Sequence, residues 1–227
     1  MSTKTALLAG ATGLVGGHLL HRLLNIGVYG QVTILVRKPL KLQHPKLRQV
    51  AVDYDQLDQY REDIEVDDIY CCLGTTIKKA GSQAAFRKVD YEYPLHIAKL
   101  AHSKSVKKLV MVTSIGANAQ SAFFYTRVKG EVEAAILRVG LPSVHFLHPS
   151  QLLGARQEKR PAEKAAIALS PLLKLFTKGK LSKYTPIQAQ DVALAMIGIG
   201  QSAPQGNHVY EYEQIMRFAH GKNESVT

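Results

Sequence analysis

The chain has 227 residues, 46% of them hydrophobic, enough to bury a core, which excludes a disordered or low-complexity class. No apolar run approaches the roughly 20 residues that a bilayer crossing needs, and Met1-Ser2-Thr3-Lys4 leads into a strand pattern without a signal-peptide layout. The net charge of +11 invites nucleic acid or an acidic membrane surface, but the cations are scattered. They fall in pairs (Lys38 and Lys41, Lys78 and Lys79, Lys107 and Lys108, Lys159 and Arg160) without a nucleic-acid motif, so they read as a surface serving an anionic cofactor and substrate.

The elements alternate between strand and helix. Lys4 to Ala9 is a short apolar strand, and Gly13 to Asn25 has helical spacing, with Leu14, Leu19, Leu20, Leu23 and Leu24 in one stripe. Gln31 to Val36, Leu47 to Val52 and Asp68 to Leu73 follow as strands. Val89 to Ser103 is helical, Lys108 to Thr113 a strand, Ser121 to Val139 a long helix and Ser143 to Leu147 a strand. After Pro149 the chain becomes rich in Arg, Lys and Pro, with a helix expected near Glu163 to Phe176. A helix from Gln188 to Gly200 and a strand from Asn207 to Tyr212 return to the main body. Near-continuous apolar strands separated by helices predict an α/β fold, a doubly wound, mostly parallel Rossmann-type sheet. The chain is expected to form one Rossmann-type domain over 1–227, with 150–187 a substrate-side insertion or lobe.

The first strand ends in Gly10-Ala11-Thr12-Gly13-Leu14-Val15-Gly16, a GxxGxxG pattern at a strand-to-helix turn. Glycine permits a tight turn and a close approach of bare backbone to a pyrophosphate, and the helix start offers free N–H groups and a positive dipole end. Gly10, Thr12, Gly13, Leu14, Val15 and Gly16 are therefore candidate dinucleotide contacts. The second strand ends in Val36-Arg37-Lys38, where an NAD-selective site would place an acid for the ribose hydroxyls. Arg37 can instead grip a 2′-phosphate with its planar fork, which favours NADP(H). Asp53 could bond the adenine amino group, and Leu73-Gly74-Thr75 could pass under the adenosine ribose. Both follow strand ends, where ligands bind in such sheets.

Ser114 follows the fifth strand, and Tyr125 and Lys129 follow at i and i+4 of one helix face. These three suit proton transfer at a carbonyl or alcohol: Tyr125 as acid or base, Lys129 favouring the phenolate and bonding the nicotinamide ribose, Ser114 polarising the substrate oxygen. His145 and His148 read as a packed strand histidine and a loop residue, with a catalytic role open for His148. Arg156 and Arg160 could bind a carboxylate or phosphate on the substrate, or simply form a solvated face. Cys71 and Cys72 are adjacent on a strand, hence poor disulfide partners, and read as buried thiols of a reducing cytoplasm; no metal site is expected.

Gly10 to Gly16 with Ser114, Tyr125 and Lys129 resembles the short-chain dehydrogenase/reductase superfamily. Cys71-Cys72-Leu73-Gly74-Thr75-Thr76, Val89-Asp90, Val128-Lys129-Gly130-Glu131-Val132-Glu133-Ala134 and Arg156-Gln157-Glu158-Lys159-Arg160-Pro161 resemble, more narrowly, the atypical Tat-interacting-protein family. The superfamily resemblance implies a Rossmann fold, a nicotinamide cofactor and a Ser-Tyr-Lys triad; the narrower one implies NADP(H) without a settled substrate. Many superfamily members place an Asn before the fifth strand to hold a relay water, and the counterpart here is Asp90. The expected function is an NADP(H)-dependent oxidoreductase acting on a carbonyl or alcohol, anionic or neutral. Its rivals are a non-enzymatic NADP(H)-sensing regulator and, third, a nucleic-acid binder. No pattern decides for or against a homo-oligomer.

Overall fold

The computed structural model describes residues 3–154 and 179–221. Strands β1 (Lys4–Ala9), β2 (Tyr29–Val36), β3 (Leu47–Ala51), β4 (Asp68–Cys71), β5 (Lys108–Val112) and β6 (Ser143–Leu147) join β9 (Gly206–Tyr210) in one seven-stranded sheet. The order is β3-β2-β1-β4-β5-β6-β9 and every pairing is parallel. The order reverses between β1 and β4, and a doubly wound sheet opens a ligand crevice there, at the carboxyl ends of its strands.

Alternate residues of each strand serve opposite layers. Ala6 and Leu8 of β1 face the layer of α1 (Leu14–Asn25) and α6 (Ala189–Ser202), where Leu19, Leu23, Val192 and Met196 are buried. Leu7 and Ala9 face the layer of α4 (Tyr93–Ser103) and α5 (Phe124–Val139), with Ile97, Ala101, Val132 and Ile136. Both faces being covered is why the strands carry so few polar residues.

Several boundaries differ from the sequence expectation, each for a local reason. β4 stops at Cys71 because Leu73 must leave the sheet over the Gly10 turn. α5 starts at Phe124 rather than Ser121, since the Ser121 hydroxyl accepts the Phe123 N–H at 3.2 Å and bonds Thr126 Oγ1 at 2.6 Å, holding a turn ahead of the helix. β9 ends at Tyr210 because a capping box of Glu211 and Gln214 starts α7 (Tyr212–His220). The sequence reading also passed over a 3₁₀ segment (Tyr54–Ile64), α2 (Ile77–Ala80) and α3 (Gln83–Arg87), while the helix expected over Val89 to Ser103 begins as a π turn (Lys88–Glu92) leading into α4. Leu152–Leu153 (β7) pairs in parallel with Ile187–Gln188 (β8), so the two ends of the expected insertion are clamped together. The helix expected near Glu163 to Phe176 lies outside the described residues.

Candidate functional site: a dinucleotide cradle and a buried lysine

β1 hands over to α1 through a turn that only glycine fits. Gly10 has φ +88°, and a Cβ there would lie 2.6 Å from the Cys72 carbonyl carbon. A Cβ on Gly16 would lie 2.1 Å from the Gly10 carbonyl oxygen, so that glycine lets helix and strand close up. Gly13 caps α1 without a side-chain bond, and no acid stands in the first turn, so the N–H groups stay open and the local field positive. Thr12 and Gly13 are exposed; the side chains of Leu14 and Val15 turn into the core, leaving their backbone for a ligand. Gly154, just after the Leu152–Leu153 strand, packs over Leu14 at this mouth.

Arg37 and Lys38 stand exposed at the end of β2, neither in an ion pair among the described residues. Burial pushes the Tyr54 hydroxyl up, and the neighbouring Arg37 cation draws it partly back. Asp53 is exposed and already employed: Oδ1 accepts the Asp55 N–H at 2.9 Å, capping the 3₁₀ segment. Leu73, Gly74 and Thr75 form the loop beyond β4, and the Thr75 N–H donates to Asp90 Oδ2 at 2.9 Å.

Ser114 follows β5, buried, and its Oγ has no hydrogen-bond partner among the described residues. The loop beyond it lies on α5 at Gly130, where a Cβ would strike the backbone of Asn118 and Ala119 at 2.2 Å. Tyr125 is 38% exposed, its ring 5.6 Å from that of Phe86. Lys129, one turn on, is buried, with Nζ 6.0 Å from the centre of the Tyr125 ring and 2.6 Å from Asp90 Oδ1. That contact is a close ion pair rather than an aligned hydrogen bond. Burial opposes the charge on Lys129, but Asp90 together with Tyr125 and Cys71 outweighs it and holds the ammonium above its ordinary pKa, while burial raises the Asp90 carboxyl against the pull of Lys129.

The same helix face carries a third functional group that the sequence reading missed. Glu133 follows Lys129 by one turn; Oε1 accepts the Thr113 hydroxyl at 2.5 Å and lies 2.7 Å from His148 Nε2. Glu133 therefore ties the residues at the ends of β5 and β6 to α5, immediately beside Ser114. The i+4 step from Lys129 was the available signal. His148 lies in the loop after β6, as expected, but its side chain is buried in this pair. His145 is the packed strand histidine expected: fully buried, 2.8 Å from Ser143 Oγ and 2.9 Å from the Tyr210 hydroxyl, its pKa lowered to about 4 by burial.

Cys71 and Cys72 are free thiols, and burial pushes Cys71 up to about 11. Among the described residues no group of side chains could hold a metal, and no helix is long and apolar enough to cross a membrane. Arg156 and Arg160 lie outside the described residues.

A family model described as NAD(P)H-binding matches residues 10–145, from the glycine turn through β6. Rat HTATIP2 is 36% identical over 167 residues, covering 72% of this chain and 69% of that protein. The chain belongs to this NAD(P)H-binding family. FMP52 of Candida albicans, named mitochondrial, is 30% identical over 209 residues, 89% of this chain and 90% of its own. Solved structures share the fold at lower identity. The Thermotoga maritima UDP-glucose 4-epimerase with UDP-glucose has TM-score 0.70 and 14% identity over 95% of this chain and 81% of that one. MoeE5 in complex with UDP-glucose and NAD has TM-score 0.69 and 16% identity, covering 92% and 75%. The segment shared with the NAD(P)H-binding family contains the glycine cradle, Asp90, Ser114, Tyr125, Lys129 and Glu133.

Proposed function

We propose that the chain is an NADP(H)-dependent oxidoreductase acting on the carbonyl or alcohol of a small molecule. The observation that carries this reading is the Ser114 hydroxyl at the end of β5: buried, and without a partner among the described residues. A buried hydroxyl is rarely left unpaired, and a substrate oxygen would satisfy it. The uncapped N–H groups after Gly13 and the bare Gly10 turn suit a pyrophosphate. Arg37 and Lys38 would take the 2′-phosphate of NADP(H), and Leu73-Gly74-Thr75 would support the adenosine side.

A nicotinamide bound here supplies or accepts the hydride. Ser114 holds the substrate oxygen, and Tyr125 gives that oxygen a proton as the carbonyl carbon is reduced. Lys129 sits beneath as the cation that also reaches the ribose. Residues 150–187 would form the substrate side, with Arg156 and Arg160 receiving an anionic group. The free thiols suit a reducing compartment, read first as the cytoplasm; the FMP52 relatives make mitochondria the competing address, and cell fractionation decides between them.

The experiment is NADPH consumption across a broad carbonyl panel, run on the native protein and on Tyr125→Phe. The native protein should turn over at least one carbonyl, and the variant should lose about 10²–10⁴-fold in rate while still binding NADPH. An unchanged rate in the variant removes Tyr125 from the mechanism. NADPH binding without turnover on any carbonyl contradicts the reading and favours a sensor.

A further inference from the structure

Asp90 stands where an uncharged Asn would have been enough to accept hydrogen bonds. It is fully buried on the π turn ahead of α4, and it faces two parts of the site at once. Oδ1 is 2.6 Å from Lys129 Nζ, and Oδ2 accepts the Thr75 N–H at 2.9 Å. Gly74 lies directly over this pair: a Cβ there would meet Asp90 Oδ1 at 3.5 Å and Lys129 Nζ at 3.6 Å.

We propose that Asp90 is the positioning residue of the nicotinamide end. Its one carboxylate keeps Lys129 an ammonium and fixes the Leu73–Thr75 loop to it, so that cofactor loop and lysine are set by the same group. The role rests on the reading of Lys129 as part of the oxidoreductase site; the ion pair itself does not.

The argument is electrostatic. A buried ammonium is costly unless a counter-charge stands beside it. The ionisable groups facing Lys129 are Asp90 from the π turn, Tyr125 from its own helix and Cys71 from β4. The Cys71 thiol, at about 11, is neutral at physiological pH, and Asp90 is the only carboxylate of the three. An Asn could still accept the Thr75 N–H but would leave the lysine uncompensated. Charge, rather than hydrogen bonding alone, is what the carboxylate adds.

Two readouts independent of turnover test this. The first follows the Lys129 ¹³Cε resonance with pH, assigned by its absence in Lys129→Arg. In the native protein it should not titrate below about pH 10. Titration centred below about pH 9 would overturn the proposal without any Asp90 variant. The second is NADPH affinity against pH for the native protein, Asp90→Asn and Asp90→Glu. Asp90→Asn should weaken binding by roughly five-fold or more between about pH 7 and 9, as Lys129 sheds its proton, with a far flatter native profile. Asp90→Glu keeps the charge and should follow the native profile. An Asp90→Asn profile parallel to the native one overturns the proposal, as does an unmoved Lys129 resonance in that variant. If Asp90→Asn does not fold, the native resonance decides alone. If the native protein does not bind NADPH, the function reading falls while the resonance still decides on Asp90.

Discussion

The two ends of the crevice are built from different materials. The end at α1 is made of backbone: a left-handed Gly10, a Gly16 that lets helix and strand touch, uncapped N–H groups, and two exposed cations beyond β2. The end at α5 is made of buried side-chain charge: Lys129 on Asp90, Glu133 on His148 and Thr113, with Ser114 left without a partner among the described residues. A backbone cradle tolerates any sequence that keeps its glycines, whereas a buried charge requires a named partner. The first should fail through sterics and the second through uncompensated polarity.

The largest effect is expected where a buried partner is removed. Glu133→Ala leaves His148 without its partner and Thr113 with only the Leu147 carbonyl at 3.4 Å, and should cost about 3–5 kcal/mol. In thermal or urea unfolding that is a Tm drop on the order of 10 °C. A loss under about 1 kcal/mol would show that Glu133 is not what ties β5 and β6 to α5.

Gly10→Ala should come next. The left-handed backbone costs roughly 1–2 kcal/mol for a residue with a Cβ, and the new atom also meets the immobile Cys72 carbonyl. Lost stability of about 2–3 kcal/mol and lost dinucleotide binding are expected together. Gly74→Ala is the control within the same crevice, since its Cβ would make ordinary contacts at 3.5 and 3.6 Å; it should fold like the native chain. Equal tolerance of both would break the contrast between a steric end and a charged one.

A smaller effect belongs to His145, a buried group remote from the α1 turn. Its folded pKa of about 4 lies below the ordinary 6.5, so the unfolded chain takes the proton first as pH falls. The stability it contributes is complete above about pH 6.5 and lost progressively toward pH 4. Melting curves of the native protein and His145→Gln should therefore converge as pH drops through that window. A constant gap between them would place the titration elsewhere.

The same contrast explains what could be read from the sequence. β1 closes on an apolar run, Ala6 to Ala9, and β6 alternates around Val144 and Phe146, and both strands keep the limits expected from the sequence. The glycine turn is legible because its three glycines lie within one short stretch. Ser114, Tyr125 and Lys129 stand out by spacing. Asp90 is remote from Lys129 in the chain, and Glu133 from His148, so neither pairing leaves a local signature even though every member is present. Asp53, read as an adenine contact, caps a 3₁₀ segment whose polar sequence gave no hydrophobic period. The capping box of Glu211 and Gln214 was a readable start signal for α7, masked by the strand pattern that runs into it.

The central claim, an NADP(H) site whose selectivity is set at the end of β2, is tested most directly by titrating the native protein and Arg37→Ala with NADPH and NADH. The native protein should bind NADPH more tightly than NADH. Arg37→Ala should lose about 1.5–3 kcal/mol of NADPH affinity, roughly 10- to 150-fold, with little change for NADH. Equal native affinities for the two cofactors would contradict the account.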